Sequence, residues 1–138
     1  MAKIKFEDFS NEVEKKMHDA GMAFLEEAGG EVVSGARDRV RVDTGDTKRK
    51  YDHRVIESEM CCYVGSNVQN AIWEEFGTGR YAEKGDGRKT PWAYEDRKTG
   101  EMRWTAGKKP TRPLRGSYNS RKKAIKQRAR DLFKQLGR

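Results

Sequence analysis

Apolar residues recur at three- and four-residue steps through the first part of the chain, and this period constrains the fold most strongly. Such spacing places the side chains on one face of an α-helix. We therefore predict a long N-terminal helix, with Ser10 as a candidate N-cap unless an earlier turn precedes it. We also predict a kink or break at Gly29-Gly30, because each glycine costs roughly 1 kcal/mol relative to alanine. The series is Phe6, Phe9, Val13, Met17, Phe24, Ala28, Val32, Ala36 and Val40, with one two-turn gap at Ala20/Gly21.

The middle of the chain is typical of short strands, turns and one short helix. Residues 51–56 and 60–65 have β character and are joined by a polar segment, so we predict an antiparallel pair. Residues 42–50 read as the turn that leaves the first helix. Residues 67–76 have helical spacing and a stop signal at Gly77. Residues 77–89 are rich in glycine and charge, which predicts a flexible loop.

The last third predicts a hairpin, a linker and a helix. Residues 90–94 and 101–105 resemble two strands around a turn at 98–100, and residues 107–113 form a Pro-bounded basic linker. Apolar residues at helical steps predict a basic amphipathic helix over 120–136, with Ser120 as N-cap and Gly137 after its end. We expect one domain over 1–138, of the α+β class: long helix, small antiparallel sheet with the 90–106 hairpin, then helix.

The composition is lean in apolar residues and its charge is divided unevenly. Hydrophobic residues make up 34% and charged residues 38%, so we expect partner subunits to supply part of the buried area. Residues 1–76 hold 11 Lys+Arg and 16 Asp+Glu, a net −5, and residues 77–138 hold 19 and 6, a net +13, which together give the formal +8. The acidic part of one copy could therefore meet the basic part of the next, head to tail.

Four basic residues of the last helix are candidate contacts to DNA or to an acidic partner: Lys122, Lys123, Lys126 and Arg130. They could contact duplex phosphates without reading bases, and Trp92, Tyr94 and Trp104 could stack single-stranded bases. A solvated helix face and a set of core or interface aromatics are the structural alternatives.

Cysteine and histidine usage gives no sign of a disulfide or a metal centre. Cys61 and Cys62 are adjacent and cannot form an ordinary disulfide with each other, so we expect reduced thiols. His18 and His53 stand alone, without metal-ligand spacing. We predict no cofactor, no metal, no secretory signal and no membrane span.

Two Gly-centred motifs are candidate sites. Asp43-Thr44-Gly45 resembles the loop of an aspartic protease, but a second acid and three cations follow it, and we favour a capped turn. Gly77-Thr78-Gly79 could cradle a phosphate, but it follows a helix end and lacks the Gly-Lys-Ser/Thr ending, so we favour a turn again.

Glu74 and Glu75 are neighbours on the predicted helix and should not face one site together. We expect Glu75, beside Phe76, to be buried against a cation such as Arg49 or Arg54. A Cys–His nucleophile pair lacks a third member in this sequence.

Several short motifs follow one another in a fixed order over residues 10–136. After the long helix come Val42-Asp43-Thr44-Gly45, Tyr63-Val64-Gly65-Ser66, Asn70-Ala71, Glu75-Phe76-Gly77-Thr78-Gly79, a Trp-bearing hairpin, Gly107-Lys108-Lys109-Pro110, Pro113-Leu114 and the last helix. This order resembles the small head–tail joining (neck or tail-completion) proteins of long-tailed bacteriophages, the gene-product-ten-like family.

The resemblance implies a non-enzymatic virion protein, assembled in the cytoplasm of the host bacterium. It would form a homo-oligomeric ring, a hexamer or dodecamer, at the bottom of the neck. Its partners would be head-completion or connector proteins on one side and the tail tube or tail terminator protein on the other, with genome DNA passing through the lumen. On this view Glu75, Phe76, Gly77, Thr78 and Gly79, like the first motif, form structural turns. The candidate assembly interface is Arg80, Tyr81, Trp92, Tyr94 and Trp104.

Overall fold

The computed structural model describes residues 2–41 and 45–138 and has the predicted α+β architecture. Its described elements, in chain order, are α1 (Ser10–Arg39), α2 (Asp46–Arg49), β1 (Tyr51–Ile56), β2 (Cys61–Ser66), α3 (Gln69–Phe76), β3 (Trp92–Glu95), β4 (Met102–Thr105) and α4 (Pro113–Leu136). Short 3-10 turns lie at Glu57–Glu59 and Gly79–Tyr81. The four strands form two separate antiparallel hairpins rather than one sheet.

Helix α1 is long, as predicted, but it is unbroken at Gly29-Gly30. Gly29 lies directly under the first hairpin, where a Cβ atom would come within 2.5 Å of the Cys62 sulfur. The glycine is therefore used for close packing of helix against strand, and that packing offsets its low helix propensity. The predicted N-cap is also wrong: Ser10 is the first helical residue, and its N–H donates to Asp8 Oδ1 at 2.9 Å.

The first hairpin pairs β1 with β2 in the predicted antiparallel arrangement. Its register runs from Tyr51 opposite Ser66 to Ile56 opposite Cys61. The predicted second strand began one residue early, because Met60 takes a left-handed backbone with φ 48° and closes the turn. The predicted exit turn after α1 contains the short helix α2, preceded by Gly45 at φ 83°.

Helix α4 begins at Pro113, well before the predicted start at Ser120. Proline suits the first helical position because its φ is already helical and its missing N–H has no partner to lose. Ser120 lies inside the helix, where its hydroxyl donates to the Ser117 carbonyl at 2.8 Å instead of capping. Gly137 follows the last turn as predicted, with φ −84° rather than a left-handed value.

The second hairpin, β3 and β4, pairs Trp92 with Thr105 and Tyr94 with Arg103. The loop that precedes it is partly ordered by hydrogen bonds. The N–H of Thr78 donates to the Lys108 carbonyl at 2.9 Å, and the N–H of Glu83 donates to the Phe76 carbonyl at 2.8 Å. Residues 77–83 therefore follow a defined path, whereas flexibility of the remainder stays a prediction.

The hydrophobic core is small and lies where α1, the first hairpin and α3 meet. Its buried members are Val33, Ala36, Val40, Tyr51 and Ala71, with Val64, Val68 and Leu114 packed against them. Helices α1 and α4 run antiparallel and very close together. Their contact includes a bond of 2.7 Å from the Ser117 hydroxyl to the Val32 carbonyl. A Cβ atom at Gly35 would lie 2.3 Å from that hydroxyl oxygen, so the helix approach requires glycine there.

Candidate functional site

The Glu-Glu-Phe-Gly-Thr-Gly motif forms a buried polar centre. Glu74 is 0% exposed and Glu75 is 6% exposed, although the two are neighbours in the last turns of α3. Carboxylates are seldom buried so completely unless they are paired. As expected, the two side chains do not share a site: each has its own set of partners on the segment that leads into α4.

Glu74 joins α3 to the linker before α4. Thr111 donates its hydroxyl to Glu74 Oε2 at 2.7 Å, and Lys108 forms an ion pair with Oε1. Arg41, just beyond α1, lies 3.6 Å from Oε2. Burial alone would raise the pKa of Glu74, but the bonds from Lys108 and Thr111 and the charge of Arg41 outweigh it, so the pKa is lowered. Glu74 is therefore an ionised carboxylate held by the Thr111 hydroxyl and two cations.

Glu75 caps the start of α4. Its Oε2 accepts the N–H of Leu114 at 2.9 Å, and its Oε1 accepts the N–H of Arg115 at 3.2 Å. The first N–H groups of a helix have no partner within the helix, and its dipole favours a negative charge at that end. A side chain distant in the sequence thus does the work that the prediction gave to Ser120.

The cation beside Glu75 is Arg115, not Arg49 or Arg54 as predicted. Arg115 Nε donates to Glu75 Oε1 at 2.8 Å, and its two terminal nitrogens reach Glu83 at 2.8 and 2.6 Å. The hydrogen bonds from Arg115 lower the pKa of Glu83 to about 2. The Arg115 guanidinium therefore joins α3, the following loop and α4. Arg49 pairs with Asp46 instead.

The two glycines of the motif allow close backbone approach rather than anion binding. Gly77 and Gly79 have φ of 76° and 60°, and a Cβ on Gly79 would lie 2.2 Å from the Ala106 carbonyl oxygen. The N–H groups of Thr78 and Arg80 donate to the carbonyls of Lys108 and Ala106. These donors are therefore engaged by the chain itself, which argues against the phosphate-cradle alternative and supports the predicted structural turn.

The first Gly-centred motif is described only in part. Gly45 has the positive φ expected of the turn, at 83°. Val42, Asp43 and Thr44 lie outside the described residues, so the predicted role of Asp43 and Thr44 in capping that turn stays a prediction.

The predicted assembly residues fall on different surfaces. Arg80, Tyr81 and Tyr94 are exposed, Trp104 is 75% exposed, and Trp92 is half-buried with the Arg88 guanidinium 5.7 Å from its ring.

On the second hairpin, facing residues share one side of the ladder. Trp104 faces Ala93, while Trp92 and Tyr94 face Thr105 and Arg103 on the opposite side. The three aromatics therefore form no single stacking platform. The outer side carries Trp104 and Met102, two exposed apolar side chains.

The four candidate basic residues of α4 are all exposed: Lys122, Lys123, Lys126 and Arg130. Among the described residues no ion pair involves them. Arg128, which was not predicted, faces α1 instead and pairs with Glu27 at 3.1 Å and with Glu31. These contacts raise the pKa of Arg128. Helix α4 therefore uses Arg115 and Arg128 for contacts within the fold and leaves a separate basic face in solvent.

The described part of the chain offers no metal centre, since it contains no suitable group of three His, Cys, Asp or Glu side chains. His53 Nε2 lies 2.7 Å from Glu26 Oε2, a contact between β1 and α1. Both cysteines are free thiols, and burial raises the pKa of Cys62. None of the described helices could cross a membrane. A cavity of about 870 Å³ opens between α2, α3 and the second hairpin. It includes Arg41 and Lys108, whose charges are already directed at Glu74.

Comparison with protein-family models, curated proteins and solved structures finds no match to this chain.

Proposed function

We propose that this chain is a structural virion protein of a long-tailed bacteriophage, which acts by assembling into a ring that joins the head connector to the tail. The class of protein is proposed from the order of its motifs, which resembles that of the head–tail joining proteins. The geometry supports a structural role for the second motif, because its buried carboxylates and glycines hold α3, the linker and α4 of the chain together.

One observation carries the proposal: large apolar side chains are exposed at both ends of α1. Just before the start of α1 lie Ile4, which is 97% exposed, and Phe6, which is 86% exposed. Near its other end the second hairpin exposes Met102 and Trp104, and the same hairpin borders a cavity with Arg41. The helix has 30 residues, which separates the two ends by about 45 Å.

Two separated apolar surfaces on a small, highly charged chain fit subunits that contact different neighbours. Exposed apolar patches of this kind are typical of interaction sites. A contact between unlike surfaces closes into a ring when the rotation between subunits allows it. In such a ring the basic face of α4 would meet an acidic neighbour or line the DNA lumen, where contacts should be loose enough to let the genome pass.

This function is tested by deleting the gene for this chain from the genome of the phage that carries it. Heads and tails should accumulate separately, and a plasmid copy of the wild-type gene should restore joined particles. Joined, infectious particles from the deletion strain would exclude a role in head–tail joining.

The exposed basic face of α4 favours one alternative, a stand-alone nucleic-acid-binding protein. That function predicts retention on DNA at roughly 50–100 mM salt, a steep salt dependence, and loss of binding on neutralising Lys122, Lys123, Lys126 and Arg130. Failure of the purified chain to bind DNA under these conditions would exclude it.

A further inference from the structure

The N-terminal segment, residues 2–17, extends beyond the folded body with an apolar stripe that none of the other described residues covers. We call it the arm. Phe9, Val13 and Met17 lie at four-residue steps and are 55%, 51% and 44% exposed. The first contacts between α1 and the tip of the first hairpin come next along the chain, at His18 with Glu57 and at Gly21 with Met60.

The folded body has an open apolar groove of about 390 Å³. It lies over the middle of α1, between β2 and α4. Its lining includes Val32, Cys62, Val64, Leu114, Tyr118 and Ile125. Val64 and Leu114 also pack against the core, so a side chain entering the groove would extend that small core.

The arm cannot reach the groove of its own chain. Ala28, at the groove, lies about 28 Å along the helix axis from Phe9, at 1.5 Å per residue. Folding back from Phe9, an extended chain carries Ile4 only about 17 Å. An arm that occupies this groove therefore belongs to another copy.

One stretch of the arm is complementary in charge to the rim of the groove, although Lys3, Lys5, Lys15 and Lys16 balance the charge of the arm as a whole. Residues 7–14 contain Glu7, Asp8, Glu12 and Glu14 and no basic residue. On α4, Lys122 and Lys126 flank the groove residue Ile125 and are exposed without ion pairs among the described residues. Such complementarity fixes the orientation of a contact and speeds its formation.

From these observations we infer that the arm of one copy docks in the groove of the next, with Phe6 and Phe9 as anchors and the acidic flank against the basic face of α4. The contact joins unlike surfaces, so every subunit offers one arm and one groove, and the assembly continues until it closes. The inference rests on the self-association in the proposed function and assigns its interface.

Sedimentation velocity on the full chain over a concentration series tests the contact with two complementary variants. The arm variant is Phe6→Glu/Phe9→Glu, and the groove variant is Tyr118→Glu/Ile125→Glu. Each should be monomeric where the wild type associates, with at least about a tenfold weaker Kd, because each variant replaces apolar side chains buried in the contact by charged ones. Ile72→Glu, which changes an exposed apolar residue of α3 outside the arm, the groove and the second hairpin, is the control and should assemble like the wild type.

The decisive sample is an equimolar mixture of the two variants. The groove variant keeps an intact arm and the arm variant keeps an intact groove, so the mixture should form heterodimers and nothing larger. A mixture that stays monomeric overturns the inference, as does a monomeric wild type. Variants that both assemble like the wild type also overturn the arm-in-groove contact while leaving the ring itself intact. If the groove variant loses its circular dichroism, a peptide of residues 2–17 replaces it: the peptide should dissociate wild-type oligomers, and no dissociation overturns the inference.

Discussion

Replacement of Glu75 by glutamine tests the claim that the second motif builds the scaffold. Glutamine has nearly the same shape, but its amide offers one acceptor oxygen where the carboxylate offers two. In the structure one carboxylate oxygen accepts from Leu114 N and the other from Arg115 N and Nε. The NH₂ group of the introduced glutamine must therefore face a donor, and at least one N–H at the start of α4 loses its partner.

The cost follows from three physical effects that partly overlap. A hydrogen bond to a charged group contributes about 1.5–3 kcal/mol, and an unsatisfied buried donor costs about 1–3 kcal/mol. Loss of a negative charge at a helix N-terminus removes about 0.3–1 kcal/mol more. We expect Glu75→Gln to lower the free energy of unfolding by about 2–4 kcal/mol, a large part of the roughly 5–15 kcal/mol typical of a domain.

Urea denaturation followed by tryptophan fluorescence and by far-UV circular dichroism measures this change. Protein concentration must be fixed, because self-association adds to apparent stability. Glu95→Gln, on the exposed side of β3, is the matched control and should change the free energy of unfolding by less than about 0.5 kcal/mol. Equal urea midpoints for Glu75→Gln and the control would refute the capping role of Glu75.

Four further predictions concern stability. The buried Tyr51 hydroxyl has no hydrogen-bond partner among the described residues, so Tyr51→Phe should stabilise the fold by up to about 1 kcal/mol in urea denaturation, and a loss above that size would contradict it. Burial raises the pKa of Tyr51 to about 12, so the folded state holds a proton that the unfolded state loses near 10; stability should fall between these pH values, and the fall should be smaller in Tyr51→Phe. In acid, the pKa values of Glu74 and Glu83 are lowered from 4.5, to about 2 for Glu83, so the stability contributed by these two carboxylates should be complete above pH 4.5 and lost as the pH falls towards 2. A urea midpoint that stays constant over that pH range would contradict this prediction. Gly29→Ala should destabilise by about 1–3 kcal/mol through overlap with β2, whereas Gly30→Ala, with its nearest neighbour at 3.9 Å, should be neutral or stabilising; equal effects would refute the packing argument.

The sequence predicted elements whose signals are local. The apolar period gave the long helix α1, and β-forming runs with turn signals gave both hairpins to within a residue or two. Gly77 correctly marked the end of α3, because its backbone has a positive φ of 76°, which favours glycine at that position.

The sequence could not predict features that depend on partners distant along the chain. The start of α4 was misplaced because its cap is supplied by Glu75 and not by a neighbouring serine. The continuous α1 depends on the packing of Gly29 against β2. Arg115, Lys108 and Thr111 were not predicted as partners of the buried carboxylates, because nothing in their local sequence points to α3.

The central claim is that the chain assembles into a ring at the neck. Cryo-electron microscopy of particles of the phage whose genome encodes the chain tests this claim most directly. The account predicts a closed ring of copies of this chain between the head connector and the tail tube, with a DNA-sized lumen. Density for a neck that is complete without this chain would contradict it.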